Sequence, residues 1–221
     1  MAFSTLDTIR TAGLNLELGL TSDADDTWGT TAQRLFYLQR AFAKLWPDMG
    51  RARRYALTIV EQQSQYDLTA LAVPLREITA ITLFDSTGIE VDKIPSWNLY
   101  YDEASATPTS RLVLPAGIDS SLSAYLYGYQ PYIVPASGAA TCDLPPELEY
   151  VVCAGARVEA YRAKLNQFAN FSRLGNENRA NSLSASEIVE LMRSAAADFR
   201  EARLSNAKEV SQPRRAIRAT R

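Results

Sequence analysis

The residues that could do chemistry are few. The chain has no histidine, so the commonest general base and the commonest zinc ligand are both missing. A Ser or Cys nucleophile would then have only Lys or a carboxylate to activate it. No GxSxG, GxxxxGK[ST] or GxGxxG pattern occurs, so neither a nucleophile elbow nor a phosphate-cradling loop is indicated. Cys142 and Cys153 are the only cysteines and have no CxxC spacing. They read as one loop cysteine and one small buried hydrophobe in a reducing compartment. The acidic run Asp23, Asp25, Asp26 could meet a hard cation. It lacks the later glycine and glutamate of an EF-hand loop, and reads as a solvated loop. Glu147 and Glu149 fall in a helix's first turn, where they suit the helix dipole. The expectation is a protein without catalysis, cofactor or metal.

Two features could bind rather than react. YLYGYQPY, Tyr125 to Tyr132, places Tyr125, Tyr127 and Tyr129 on alternate positions. Aromatics interleaved with basic residues would stack single-stranded nucleic acid. No Lys or Arg lies between Arg111 and Arg157, so packing within or beside a sheet is the favoured reading. The chain ends VSQPRRAIRATR, with Arg214, Arg215, Arg218 and Arg221 around Ile217. That tail has three readings: a solvated flexible end, a docking arm that orders on a partner, or a set of DNA phosphate contacts.

The elements that must position these residues alternate in character. The chain has 221 residues, 47% of them hydrophobic, enough for one large domain or a core with appendages. Its net charge of −2 argues against a general nucleic-acid binder. The start shows no basic, apolar leader pattern, and no apolar run suits a bilayer span; a protein made soluble in a cytoplasm is expected. Ser4, Leu6 and Asp7 start a helix limited by Gly13 and Gly19. A second begins near Trp28, with Leu35, Leu38, Phe42, Leu45 and Trp46 as its stripe, and stops at Pro47 and Gly50.

The middle reads as strands. Tyr55 to Val60 is apolar and partly β-branched. EITAITLF, Glu77 to Phe84, alternates with Ile78, Ala80, Thr82 and Phe84 on one face, and Thr79, Ile81 and Leu83 on the other. Asp85 to Gly88 is a turn, with Ile89 and Val91 on the returning arm. WNLYY at Trp97, RLVL at Arg111 and AYLYGY at Ala124 add short strands. Helix resumes at TCDLPPELE, with Asp143 as N-cap and Pro145 and Pro146 in the first turn. Its stripe runs Leu148, Val151, Val152, Gly155, Val158, Tyr161, Leu165 and Phe168; Gly155 between alanines leaves room for another backbone. Ser184 with Glu187 forms a capping box for a last helix carrying Ile188, Leu191, Met192, Ala195 and Phe199.

The expected fold is α+β and mainly helical: a helical bundle with an inserted small antiparallel sheet and an extended C-terminal arm. Residues 1–54 would supply the N-terminal helices, 55–135 the β-rich insertion, 140–207 the rest of the helical core and 208–221 a flexible basic tail.

This succession resembles the head-to-tail adaptor (connector) proteins of tailed bacteriophages. The resemblance runs from about Trp28 to Leu204: QYDLTAL leading past Pro74 into REITAITLFDSTG, the Trp97 strand, RLVLP, the strand ending YGYQPY, and DLPPELEYVVCAGARVEAYRAKL. It implies a non-enzymatic virion protein. Copies would form a ring of twelve beneath the portal, extend the DNA channel, and offer a surface to a stopper or tail-completion protein. The long helix, through Val151, Gly155 and Val158, would pack neighbouring subunits. The β insertion would sit at the ring's periphery or its tail-facing end. The tail, through Arg214, Arg215, Ile217, Arg218 and Arg221, would dock on the portal. Assembly would take place in the host bacterial cytoplasm, with no membrane partner and only transient contact with passing DNA. Two other readings stay open. One is a different tail-completion or minor tail protein, which would bind tail tubes and not portals. The other is a DNA-binding accessory protein, which would shift DNA at low salt.

Overall fold

The computed structural model describes residues 3–68, 75–102, 109–173 and 183–208. The chain divides into two compact units. One, helical, is built from residues 1–49 and 132–207; the other, from residues 50–131, is all β and also takes Lys208. The boundaries precede residues 55 and 135 because the first strand already starts at Arg51 and the last ends at Gln130.

The helical unit opens with α1 (Leu6–Ile9), a π-helical turn (Arg10–Leu14) and α2 (Asn15–Glu17). Thr5, not Ser4, is the N-cap: its side chain accepts from the Thr8 amide. Gly13 lies inside this run rather than ending it. α3 (Thr31–Ala43) starts three residues after Trp28. Gly29, at φ +108°, turns the chain there, and Thr30 and Gln33 form a reciprocal capping box. Trp28 is buried instead, donating its indole N–H to the Leu18 carbonyl at 3.1 Å and meeting Tyr161 edge-on at 4.9 Å.

A short 3₁₀ turn (Pro146–Leu148) leads into α4 (Glu149–Arg173). Asp143 is not its N-cap. Its carboxylate accepts from the Ile133 amide at 3.0 Å and so fixes the loop before the helix. The prolines leave no amide at that point to cap. α5 (Ala185–Ser205) opens with the Ser184–Glu187 capping box, which holds Glu187 below the usual glutamate range through the Ser184 hydroxyl and amide. Leu6, Ile9, Leu38, Phe42, Val151, Val152, Ile188 and Phe199 belong to one core.

The β unit contains two antiparallel sheets rather than one. The strands are β1 (Arg51–Thr58), β2 (Gln65–Asp67), β3 (Glu77–Phe84), β4 (Glu90–Lys93), β5 (Asn98–Asp102), β6 (Thr109–Val113) and β7 (Ser123–Gln130). Their orders are β1-β7-β3-β4 and β2-β6-β5. Ile81, Leu83, Leu126, Leu112 and Tyr66, drawn from both sheets, share one core. Strict alternation fails in β3. An irregularity between Ile78 and Ala80 shifts the register against β7, so Ile78 and Ile81 both face inward. Gly128 sits at this place: a β-carbon there would lie 2.2 Å from the Glu77 carbonyl oxygen. The turn after β3 forms as its residues predict. The Asp85 carboxylate accepts from the Thr87 and Ile89 amides, both at 2.9 Å, and Gly88 takes φ +83°.

Candidate interaction surfaces

The acidic run from Ser22 to Asp26 is an exposed loop, as expected, with Ser22, Asp23, Ala24 and Asp26 open to solvent. It wraps a fully buried guanidinium. Arg34, on α3, donates through Nη1 to the carbonyls of Asp25 and Gly29, both at 2.6 Å, and through Nη2 to that of Asp23 at 2.7 Å. The Asp23 carboxylate receives hydrogen bonds from Arg10, itself buried, and from Asn15 at 2.8 Å. Those bonds hold Asp23 below the usual aspartate range, the Arg10 bond foremost. Its acceptor sites thus serve the fold. No cluster of three or more His, Cys, Asp or Glu disposed around a metal occurs among the described residues.

Both cysteines are free and buried. Burial pushes each thiol up to about 12, with nearby carboxylates adding to the effect. Neither is a nucleophile near neutral pH. Cys142 lies outside the helices, yet it is as enclosed as Cys153.

The tyrosines form one face of β7. Tyr125, Tyr127 and Tyr129 are half-buried; Ala124, Leu126, Gly128 and Gln130 fill the opposite, inner face. Basic residues are close in space although absent nearby in sequence. Antiparallel pairing sets Arg54 opposite Tyr127. Its guanidinium lies 3.7 Å from the Tyr125 ring centroid, 5.6 Å from that of Phe84 and 5.7 Å from that of Tyr127. Phe84 meets Tyr125 edge-on at 5.3 Å. Lys208, where the tail was expected to begin, is held in place: it pairs with Glu77 and lies 5.8 Å from the Tyr129 ring centroid. Arg54 is far from the tyrosines in the chain and reaches them only through the pairing of β1 with β7. Arg54 is itself exposed, so the outer face of β7 joins half-buried rings to a cation at the surface. The sequence ground for setting base stacking aside, the lack of a nearby cation, does not hold in space.

Val151, Gly155 and Val158, expected to pack a neighbouring subunit, are covered within this chain. A β-carbon on Gly155 would lie 2.8 Å from a Phe199 ring carbon and 2.9 Å from the Ala41 β-carbon. The room left by the small residues is therefore filled by α5 and α3. Arg214, Arg215, Ile217, Arg218 and Arg221 lie outside the described residues.

Two charged surfaces remain on the helical unit, one on either flank of α4. On the first, Arg157 pairs with Glu17 at 3.0 Å and Asp198 at 2.9 Å. These residues line a groove of about 310 Å³ together with Tyr150, Ala154, Glu201 and Ala202. Burial raises Glu17 above the usual glutamate range; Arg157 opposes the shift and Asp198 adds to it. On the second flank, the buried carboxylate of Glu159 holds Arg40 at 3.2 Å, Arg162 at 3.0 Å and Lys44. Sequence spacing shows only the Glu159–Arg162 pair, three residues apart on α4; the other partners in both clusters come from elements distant in the chain.

No helix among the described residues is long and apolar enough to cross a membrane. No family model matches the chain, and no curated protein matches it. Among solved structures, the chain is similar to a chain of the neck of an empty GTA particle computed with C6 symmetry, at 21% identity over 88% of this chain and 93% of that one, with a TM-score of 0.32. It is similar to a chain of the neck of a native GTA particle computed with C12 symmetry, at 18% identity over 88% and 94%, TM-score 0.32. It is also similar to a chain of the virion of a native gene transfer agent particle, at 20% identity over 74% and 76%, TM-score 0.30.

Proposed function

We propose that the chain is a structural virion protein: a head-to-tail adaptor whose copies form a ring beneath a portal, extend its DNA channel and join capsid to tail. One observation carries this reading. The elements follow one another as in the segments that resemble adaptors: helices, an inserted β unit, then DLPPELE opening the long α4. The resemblance thus lies along a folded chain whose helical unit is closed from both ends of the sequence.

The role needs no catalysis and no cofactor. It needs a rigid body with two different contact patches, because a ring closes through heterologous contacts. It also needs a surface that does not grip passing phosphates, and a chain of net charge −2 meets that requirement. The partners are further copies of the chain (twelve in the ring), the portal protein, and a stopper or tail-completion protein. Assembly takes place in the bacterial cytoplasm, and the finished protein resides in the virion neck.

In this reading the arginine-rich tail docks on the portal, with Ile217 buried and the arginines meeting carboxylates. Co-sedimentation with purified portal rings tests it. The full chain is expected to co-sediment, and the chain lacking residues 210–221 to bind at least tenfold more weakly. Equal binding by the truncated chain would remove the docking-arm role.

A further inference from the structure

The two charged flanks of α4 mirror one another in composition. The groove sets Glu17, Asp198 and Glu201 against a single arginine, Arg157. The other flank sets Arg40, Lys44 and Arg162 around a single carboxylate, Glu159. Neither cluster is neutralised by its own members. Arg157 and Glu159 are two residues apart on α4, and at about 100° per residue their side chains leave on nearly opposite sides. One helical unit therefore presents an acidic surface on one side and a basic surface on the other.

Each surface also has an apolar part. Phe36, Arg40 and Lys44 are spaced by four residues along α3 and its C-cap. Phe36 is 53% exposed, with the Arg40 guanidinium 5.4 Å from its ring centroid. It is an aromatic knob set among cations. The groove is lined by Ala154 and Ala202, with half-exposed Tyr150 at its side. Ser205, Arg157 and the three acids supply the rest of its lining, so the apolar part is a small floor among charged groups. An aromatic anchor in a pocket bordered by complementary charge is the usual anatomy of a specific contact.

We propose that these surfaces are the two halves of one contact between copies of this chain. The Phe36 knob of one copy enters the groove of the next, and Arg40 and Lys44 face Asp198 and Glu201 across the junction. This deepens the reading of the chain as a ring-forming protein and rests on it. The contact is heterologous, so each added copy exposes a fresh groove or a fresh knob, and growth stops only where the ring closes. It also gives the small residues of α4 a different role: they make the body rigid, and the flanks make the contact.

Disulfide trapping in the full chain tests the pairing without any portal present. Both native thiols are buried and pushed up to about 12, so introduced cysteines react alone. Arg40→Cys and Glu201→Cys occupy exposed positions. The doubly substituted chain is expected to give a ladder of covalent oligomers under mild oxidation, whereas each single substitution gives at most a dimer. Adding Phe36→Asp should reduce ladder yield at least fivefold. Thermal melting of every variant checks that the fold is retained. A folded double variant that yields nothing beyond the single variants would overturn the proposal. So would efficient intrachain trapping in a Glu201→Cys, Ala219→Cys chain, which would give the groove to the chain's own tail. Loss of portal binding with the ladder intact would count against the adaptor reading and leave this contact standing.

Discussion

Arg34→Leu is expected to destabilise the helical unit by roughly 3–5 kcal/mol. Leucine fills part of the space but donates nothing. The carbonyls of Asp23, Asp25 and Gly29, which Arg34 holds at 2.6–2.7 Å, lose their donor together. A buried polar group left without a partner costs about 1–3 kcal/mol; three carbonyls lose a donor here, so the expected range is reached even where water satisfies part of the loss. Arg34→Lys should recover little, because one ammonium cannot reproduce a planar fork aimed at separate carbonyls. Hydrogen exchange should show amide protection of residues 22–30 falling first, with Trp28 fluorescence shifting as its indole leaves the Leu18 carbonyl. Unchanged protection of that segment in a folded Arg34→Leu chain would show that the loop is held by something else.

Gly155→Val carries the second large effect. The glycine sits where α4 is approached by both α5 and α3, and a single β-carbon there already meets Phe199 and Ala41 at under 3 Å. Valine adds two more carbons, and β-branching limits how they can turn away. The cost is expected to be about 2–3 kcal/mol, as for other overpacked cores. Gly155→Ala should cost less. Pairing it with Phe199→Leu should recover part of the loss, because the two sites share one clash. Chemical denaturation followed by far-ultraviolet circular dichroism reads both effects. If Gly155→Val were as stable as the parent chain, the close three-helix approach would be contradicted.

Much of the architecture was legible in the sequence, because local rules governed it. The Ser184–Glu187 box, the Asp85 turn and the alternation of Tyr125, Tyr127 and Tyr129 depend only on neighbouring residues, and each forms. What was not legible depends on pairing between distant segments. The register shift in β3 turns Ile78 and Ile81 to the same side, against the simple alternation of EITAITLF. Arg34 looks like any polar helix residue until the loop at Asp23 folds over it. Arg54 comes to the tyrosines only through β-pairing. The stripe through Val151, Gly155 and Val158 was read correctly as apolar, but periodicity could not say whether α5 or another subunit covers it. The clusters around Arg157 and Glu159 are likewise products of packing.

Both cysteines and the small-residue stripe are buried within the chain, and the acidic loop commits its inner carbonyls and the Asp23 carboxylate to Arg34 and Arg10. Among the described residues, the charged flanks of α4 are surfaces open to a partner.

Electron microscopy of the full chain mixed with purified portal rings tests the adaptor role most directly. The account predicts a second ring of the chain, coaxial with the portal and continuing its channel, with one copy seated against each portal subunit. Portal rings that remain bare at saturating concentrations of the folded chain, or copies bound singly without forming a ring, would contradict it.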